Sequence, residues 1–540
     1  WEKTKLQRDW YPEEDQNKGK SSGDDKKKDD TDEETTEPVE IDFEKIYNRV
    51  IQVTSYAGNE SDFTFDTKGE NIYYTLGSAG RQNYEVERNL FKIKWDGSDN
   101  KEIAGGNLRP YGFLLDKQGK YVYFVSRGGK LERVKTSDDK KETLSTSSIL
   151  EIDYVAELEQ IFEEGWRALD QGFYDPNFHG RDWNALKTKY KPLALKASTK
   201  EDFQYIYNQM LGQLNASHMG MRGGDNPKET QRQETGLLGV SGENVADGFK
   251  ISGVLPNSPA DREESKLNVG DIITSVNQQS VTPSTNFYSL LVNESDNPIL
   301  LEVTSAGKSR EVIIWPAGSL RSELYDDWVE NRRKLVDEYS NGKLGYLHIQ
   351  GMNWTSFERF ERELMAAGYG KEGIVIDVRY NGGGWTTDYL MAVLSVRQHA
   401  YTVPRGAAES LEDDHLKFKD TYPFSERLPL SSWTKPSIAL CNENSYSNAE
   451  IFSHAYKTLG LGTLVGQPTF GAVISTGGYG LMDGSYVRMP FRAWYVKATE
   501  ENMEHGPAVP DILVTNPPAY KKQKVDPQLK RAVDELLSQL

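Results

Sequence analysis

Ser447 lies between two sequence patterns whose meeting point suits nucleophilic chemistry. Residues 438–441 are an apolar run typical of a buried strand, a polar turn follows, and apolar residues then recur at helical spacing from residue 449 to residue 459. A hydroxyl at such a junction can stand clear of the sheet, beside the free N–H groups of the first helical turn. Those N–H groups could hold an oxyanion while the serine acts as a nucleophile. Taken alone, the stretch favours the simpler interpretation that Ser447 only caps the helix.

A serine nucleophile needs a base, and the histidines narrow the choice. Of the seven histidines, His218 stands beside a serine, Ser217, in a loop after a predicted helix C-terminus. His454 follows Ser447 by seven residues on the same predicted helix, about 10 Å along the axis, and cannot easily reach the hydroxyl. His505, in another polar loop, stays open as an alternative. No pair of histidines has a metal-ligand spacing such as H-x-x-x-H, so we expect no metal site.

A glycine triplet supplies another candidate element of such a site. Asn381 and the glycines 382–384 follow a predicted strand and precede a predicted helix. The segment lacks the G-x-G-x-x-G spacing and the lysine of a phosphate-binding loop, so the signal for a nucleotide site is weak. Glycines do let a backbone N–H turn toward a ligand, which suits an oxyanion hole.

Length and charge exclude several classes of function. A chain of 540 residues is expected to form three or four domains. Its net charge of −18 argues against a nucleic-acid partner, because phosphate binding needs a basic face. No apolar run is long enough to cross a membrane. The single cysteine rules out a disulfide framework within the chain. So few cysteines are typical of a cytoplasmic protein, although an exported protein is the alternative.

The N-terminal part is predicted to contain a loop and a β repeat, followed by a helical domain over residues 149–225 that carries the Ser217–His218 loop. Residues 1–40 are interpreted as a strand and an acidic low-complexity loop, since they carry too few apolar residues for a core. In residues 41–148 the pattern of residues 63–73 returns at residues 113–123, which predicts the C-terminal blades of a β-propeller. A small β-sandwich is the alternative. Two blades cannot close a ring, and the chain starts at Trp1 without Met, so we expect a longer parent chain.

Two further domains and a linker are predicted beyond the helical residues 149–225. Residues 236–317 are rich in β patterns, and their G-L-L-G loop and later V-G-D-I-I-T-S-V-N run resemble a PDZ domain. In that family a glycine-rich loop can hold a carboxylate beside an edge strand that accepts a peptide. A polar helix over residues 318–343 links to residues 344–540, where strands alternate with helices. This alternation predicts a mixed α/β domain with its site at the strand ends.

Five segments in this order resemble the tricorn protease branch of the C-terminal-processing serine peptidases. They are residues 211–218 (LGQLNASH), 376–384 (IDVRYNGGG), 442–450 (NENSYSNAE), 465–471 (VGQPTFG) and 504–511 (EHGPAVPD). The resemblance implies a multidomain fold: partial β-propeller, helical domain, PDZ-like β domain and a mixed α/β catalytic domain of the ClpP/crotonase type. It also implies a homo-oligomer, a trimer or a hexamer.

The resemblance assigns roles to individual residues. Ser447 would be the nucleophile and His218 the general base, with Ser217 and Glu504 orienting the imidazole. The oxyanion hole would come from the N–H groups of two further residues, Gly384 and Asn448.

Two positions depart from the pattern of the wider family. Relatives with a Ser/Lys dyad carry lysine where this chain has Ala472, so the histidine route is favoured. Tricorn has an acidic residue in its specificity pocket, and the matching position here is Thr402. We therefore expect hydrophobic or mixed specificity instead of a preference for basic residues.

The sequence thus predicts a serine endopeptidase that acts on peptides or unfolded chains without a cofactor. One alternative is a non-catalytic peptide- or ligand-binding scaffold with the same fold. Another is crotonase-like acyl-CoA chemistry, which shares the sheet and the glycine-rich loop. The presence together of Ser447, His218, Ser217 and Glu504 favours the peptidase.

Overall fold

The computed structural model describes residues 41–540 except 45, 51, 57, 79–86, 148, 150, 225–230, 420–431 and 521–524. The predicted acidic loop of residues 1–40 lies outside the described residues. The described residues divide into two compact units, one before residue 149 and one from residue 149 onward. No described helix combines the length and the apolar character that a bilayer crossing needs.

The first unit consists of two four-stranded antiparallel sheets with the same internal order. The strands are β1 Gly58–Phe65, β2 Asn71–Ser78, β3 Arg88–Lys94 and β4 Lys101–Ala104 in one sheet, and β5 Tyr111–Leu115, β6 Tyr121–Ser126, β7 Lys130–Lys135 and β8 Lys141–Thr143 in the other. The repeated Asp-x-x-Gly segment forms the same turn in both sheets, because Gly69 N–H donates to Asp66 O and Gly119 N–H to Asp116 O. Each predicted repeat is therefore one sheet. Among the described residues no closed ring of blades is seen.

Three helices open the second unit, and each has a side-chain N-cap. They are α1 Tyr154–Gly172, α2 Trp183–Ala194 and α3 Lys200–Gly212, capped by Asp153, Asp182 and Thr199. Their apolar faces share one buried core with Leu481 and Val487, which come from a distant hairpin. The helical residues and this hairpin therefore fold as one body.

The PDZ-like part is a sheet with an exposed edge. Its strands are β10 Val240–Val245, β11 Gly248–Val254, β12 Ile272–Val276, β13 Gln279–Ser280, β14 Ile299–Ser305 and β15 Lys308–Ile314. Strand β10 lies at one edge, beside a groove of about 380 Å³ that the glycine-rich loop helps to line. Two N–H groups of that loop are used internally, since Gly236 donates to Leu291 O and Leu237 to Ala317 O. These two groups cannot also hold a carboxylate.

A five-stranded parallel sheet forms the centre of the last part. Its strands, in spatial order, are β16 Leu344–His348, β17 Gly373–Asp377, β18 Ser437–Cys441, β19 Leu464–Gly466 and β22 Ile512–Leu513. Helices surround it: α4 Arg321–Ser340, α5 Trp354–Gly368, α6 Thr387–Leu394, the short α7 Leu411–Asp414, α8 Asn448–Thr458 and α9 Pro527–Gln539. Both faces of the sheet are covered, which explains why the first three strands are mostly apolar and are buried along their whole length. The carboxyl ends of β17 and β18 meet at one edge, where the glycine triplet and Ser447 follow.

A small antiparallel sheet connects the helical residues to the parallel sheet's domain. It consists of β20 Ile474–Gly480, β21 Ser485–Ala493 and β9 Gly220–Gly223, with β21 in the middle. Strand β9 begins two residues after His218 and pairs with β21, Arg488 opposite Gly220. Backbone pairing therefore determines where the loop that carries His218 lies.

Candidate active site

The turn before α8 holds Ser447 in a strained conformation. Its φ of 57° and ψ of −117° lie outside the regions that non-glycine residues usually adopt. Tyr446 N–H donates to Asn381 O at 2.9 Å, so the turn is joined to the glycine loop. At Gly383 a Cβ atom would lie 2.7 Å from Ser447 Cβ, so only glycine allows this approach. The nucleophile candidate thus sits on a sharp strand-to-helix turn packed against the triplet.

The imidazole of His218 contacts the Ser447 hydroxyl. Its Nε2 lies 2.8 Å from Ser447 Oγ, and the His218 side chain is almost fully buried. Ser447 occupies the helix N-cap position, but this contact gives its hydroxyl a partner outside the helix. The predicted pair therefore comes together across 229 residues of sequence.

A relay runs from the far side of the imidazole to Glu504. His218 Nδ1 lies 2.7 Å from Ser217 Oγ, which donates to Glu504 Oε2 at 2.9 Å. The buried Glu504 also accepts the Ser217 N–H at 2.7 Å and the Val473 N–H at 3.0 Å. These bonds favour the tautomer that has a proton on Nδ1 and leaves Nε2 free to accept one.

Two N–H groups beside Ser447 can hold a developing oxyanion. Asn448 is the first residue of α8, where no preceding turn offers an acceptor. In the triplet, Gly383 N–H already donates to Asn381 Oδ1 at 2.9 Å. Gly384 N–H has no acceptor in the described part of the chain, and the φ of 146° at Gly384 suits glycine. Gly384 and Asn448, the two predicted donors, therefore have N–H groups available.

Sequence reasoning missed Glu450, whose side chain hydrogen-bonds to the backbone of the turn that carries Ser447. This buried carboxylate accepts the N–H groups of Ser447 at 3.0 Å and Ala472 at 2.9 Å, and the Thr469 hydroxyl at 2.7 Å. Burial raises the pKa of Glu450, while these hydrogen bonds oppose the rise. The S-x-x-E spacing of a capping box could have identified it.

Other candidates lie outside this constellation. His505 Nε2 lies 3.0 Å from Asn215 O, so the alternative base instead holds the loop that carries His218. His454 contacts Gly506 O at 3.1 Å. Thr402 is exposed in an irregular segment, and in the described structure no hydrogen bond or ring contact joins it to Ser447. Its predicted place in a specificity pocket stays a prediction.

Three segments of the chain match known families. Residues 343–514 match peptidase family S41, residues 154–212 the tricorn protease C1 domain and residues 227–287 a PDZ domain. A crystal structure of the tricorn protease aligns with a TM-score of 0.75 at 22% identity, covering 89% of this chain and 46% of that one. At this identity the likeness shows the fold.

Similar proteins are known from several organisms. A protein of Sulfurisphaera tokodaii, named as the C-terminal subunit of a tricorn-like protease, is 28% identical over 94% of this chain and 59% of its own length. The tricorn protease of Thermoplasma volcanium is 25% identical, covering 79% of this chain and 41% of its own. Tricorn protease homolog 1 of Streptomyces coelicolor is 28% identical, and the match covers 85% of this chain and 42% of that protein. The chain spans about two fifths to three fifths of these relatives' length.

The order of domains, the fold and the three matching segments agree with one another. The chain is therefore a tricorn protease homologue, and its residues 343–514 match peptidase family S41.

Proposed function

We propose that this chain is a tricorn-like serine endopeptidase that hydrolyses peptide bonds in peptides or unfolded chains. The observation that carries the proposal is the 2.8 Å contact between His218 Nε2 and Ser447 Oγ, on a strained turn beside two N–H groups that have no acceptor among the described residues. A catalytically inactive scaffold would have no need for the relay through Ser217 to Glu504. Crotonase-like acyl-CoA chemistry would not require it either.

The geometry supports acyl transfer in two halves. Ser447 Oγ attacks the peptide carbonyl carbon as its proton moves to His218 Nε2, and the carbonyl oxygen becomes an oxyanion held by Gly384 and Asn448 N–H groups. His218 then gives that proton to the leaving amine as the carbon–nitrogen bond breaks. Water then gives a proton to the same imidazole as it attacks the carbonyl carbon of the acyl–enzyme ester. His218 passes that proton to Ser447 Oγ as the ester carbon–oxygen bond breaks and the carboxylic acid product leaves. The Ser217–Glu504 relay keeps the imidazole oriented throughout.

A fluorophosphonate probe tests this proposal on the chain as it stands. We expect one label per chain, and peptide mapping by mass spectrometry should place it on Ser447. Heat-unfolded chain is the control and should not react. Failure of well-folded chain to react, or a label on another serine, would overturn the proposal and favour the scaffold alternative.

The pH dependence should report the environment of His218. Burial, with a smaller contribution from the positive charge of Arg488, lowers the pKa of His218 to about 4. Only the neutral imidazole can accept the Ser447 proton, so activity is retained above that pKa and lost as the pH falls through it. We expect kcat/KM to be level from neutral pH to about 5 and to fall about tenfold per unit below 4. Circular dichroism at each pH should show that the chain stays folded. An acid limb centred near pH 6.5 would contradict the expected profile.

Two exposed aromatic residues beside the site support apolar specificity. Phe470 is 62% exposed and packs edge-on against Tyr446 with ring centroids 5.0 Å apart. Trp385, which follows Gly384, is 42% exposed and stacks on Trp354. We propose that these rings contact apolar side chains of the substrate.

Profiling a peptide library measures this specificity directly. We expect apolar residues around the cut, and Phe470→Ala should weaken that preference about tenfold in kcat/KM. Tyr369→Ala, at a residue that is 90% exposed after α5, is the matched control and should leave the profile unchanged. Dominance of Lys and Arg just before the cut would contradict the expectation.

We further propose that the two four-stranded sheets are propeller blades and that the chain assembles as a trimer or hexamer. The repeat of one sheet per fifty residues supports the proposal that the sheets are blades.

The proposal that the chain assembles as a trimer or hexamer rests on the resemblance to tricorn. Light scattering on a sizing column tests the assembly, and a monomer at micromolar concentration would contradict it.

A further inference from the structure

Tyr446, the residue before the proposed nucleophile, contacts the proposed base in two ways. Its ring stacks on the imidazole of His218, with centroids 4.7 Å apart and planes 19° from parallel. Its hydroxyl oxygen lies 3.1 Å from His218 Nδ1, the atom that also faces Ser217 Oγ at 2.7 Å. The Nδ1 proton therefore has two hydroxyl oxygens in reach.

The position of Tyr446 is held from both sides. Its N–H donates to Asn381 O at 2.9 Å, which joins it to the glycine loop. The ring of Phe470 packs edge-on against it, and Phe470 N–H donates to Ser445 O at 3.1 Å. Burial raises the pKa of Tyr446, so the hydroxyl keeps its proton at neutral pH. The ring is a neutral surface whose orientation the fold determines.

The surroundings of His218 disfavour the protonated, positively charged form of its imidazole. The side chain is almost fully buried, and the guanidinium of Arg488 on β21 adds a like charge. That guanidinium is oriented by bonds from its Nε and Nη2 to Thr476 Oγ1 at 3.1 and 3.0 Å. The Glu504 carboxylate reaches the imidazole only through the intervening Ser217 hydroxyl. Yet acyl transfer requires this imidazole to carry a proton on both nitrogens.

We propose that Tyr446 is a positioning residue that stabilises the imidazolium of His218, through its ring face and through its hydroxyl as a second acceptor for the Nδ1 proton. The proposal rests on the proposed function. An aromatic face attracts a cation stacked upon it, and the attraction grows when water is excluded. Tyr446 neither gains nor loses a proton, since the proton from Ser447 Oγ moves to Nε2 and then to the leaving amine.

Two substitutions separate the contributions of the ring and the hydroxyl. Tyr446→Phe keeps the stacking and removes the hydroxyl, so kcat should fall about three- to tenfold with KM unchanged. Tyr446→Leu also removes the ring and should lower kcat about fivefold further. In both variants the acid limb of the pH profile should move to lower pH, because the protonated imidazole has lost support. Tyr369→Phe, on the exposed residue after α5, is the control and should behave as wild type.

The outcomes distinguish this inference from the proposed function. If wild type is not labelled by the fluorophosphonate, the proposed function fails. If wild type is labelled at Ser447 but Tyr446→Phe matches it in kcat and pH profile, only the role of Tyr446 fails. A lower kcat with an unmoved acid limb, together with a lower melting temperature, would mean that Tyr446 only packs the site and would also overturn the inference.

Discussion

Replacing Ser447 or His218 by alanine should lower kcat by about four to six orders of magnitude. Ser447→Ala removes the atom that forms the acyl bond. His218→Ala removes the base and leaves Ser447 Oγ without its partner at 2.8 Å. Because the two side chains act as one unit, the double variant should be little worse than either single variant.

Hydrolysis of a fluorogenic peptide, followed to low turnover, measures these losses. Ser538→Ala, which changes a serine at the exposed end of α9, is the control and should retain wild-type kcat. Circular dichroism should show that all variants are folded. A His218→Ala variant within tenfold of wild type would mean that another group serves as base, and additive losses in the double variant would mean that the residues act separately.

Replacing Arg379 by alanine should destabilise the catalytic domain by about 3–5 kcal/mol. The guanidinium is fully buried and donates to Asp377 Oδ2 at 2.7 Å, Asp526 Oδ1 at 3.0 Å and Gln528 Oε1 at 3.0 Å. Burial works against the ionised form of Asp526, yet Arg379 holds the pKa of this carboxyl below its ordinary value. Without the guanidinium the Asp377 carboxylate would stay buried without its partner, and Asp526 would keep only the buried Arg332, whose Nε lies 3.5 Å from Asp526 Oδ2, among the described cations. Since Asn381 follows two residues later, activity should also decrease.

Urea unfolding followed by tryptophan fluorescence measures the free-energy change. The matched control is Lys530→Ala on α9, because Lys530 pairs with Asp534 at the surface, where both side chains are about half exposed. Exposed pairs contribute little, so this control should change stability by about 0.5 kcal/mol or less. If Arg379→Ala changed the free energy of unfolding no more than Lys530→Ala, the buried network would not stabilise the domain.

Local patterns in the sequence determined much of the catalytic domain. Apolar runs predicted the buried strands, and helical periodicity after Ser447 predicted α8. Helix α9 begins at Pro527 directly after Asp526, whose side chain accepts the Leu529 N–H, and both residue types are ones that favour a helix start. The glycine triplet was predicted to offer a free N–H, and Gly384 has one available among the described residues. Such features depend on residues within one or two turns of each other, which a sequence pattern can report.

The tertiary structure alone decided how the site is assembled. Nothing in the sequence placed Tyr446 on His218, and no local pattern joins Arg379 to Asp526. The pairing of β9 with β21 brings the loop of His218 to Ser447, and the core shared by helices and hairpin holds it there. These contacts join segments that are more than a hundred residues apart. They depend on strand pairing and packing through space, for which neighbouring residues along the chain carry no periodic signal.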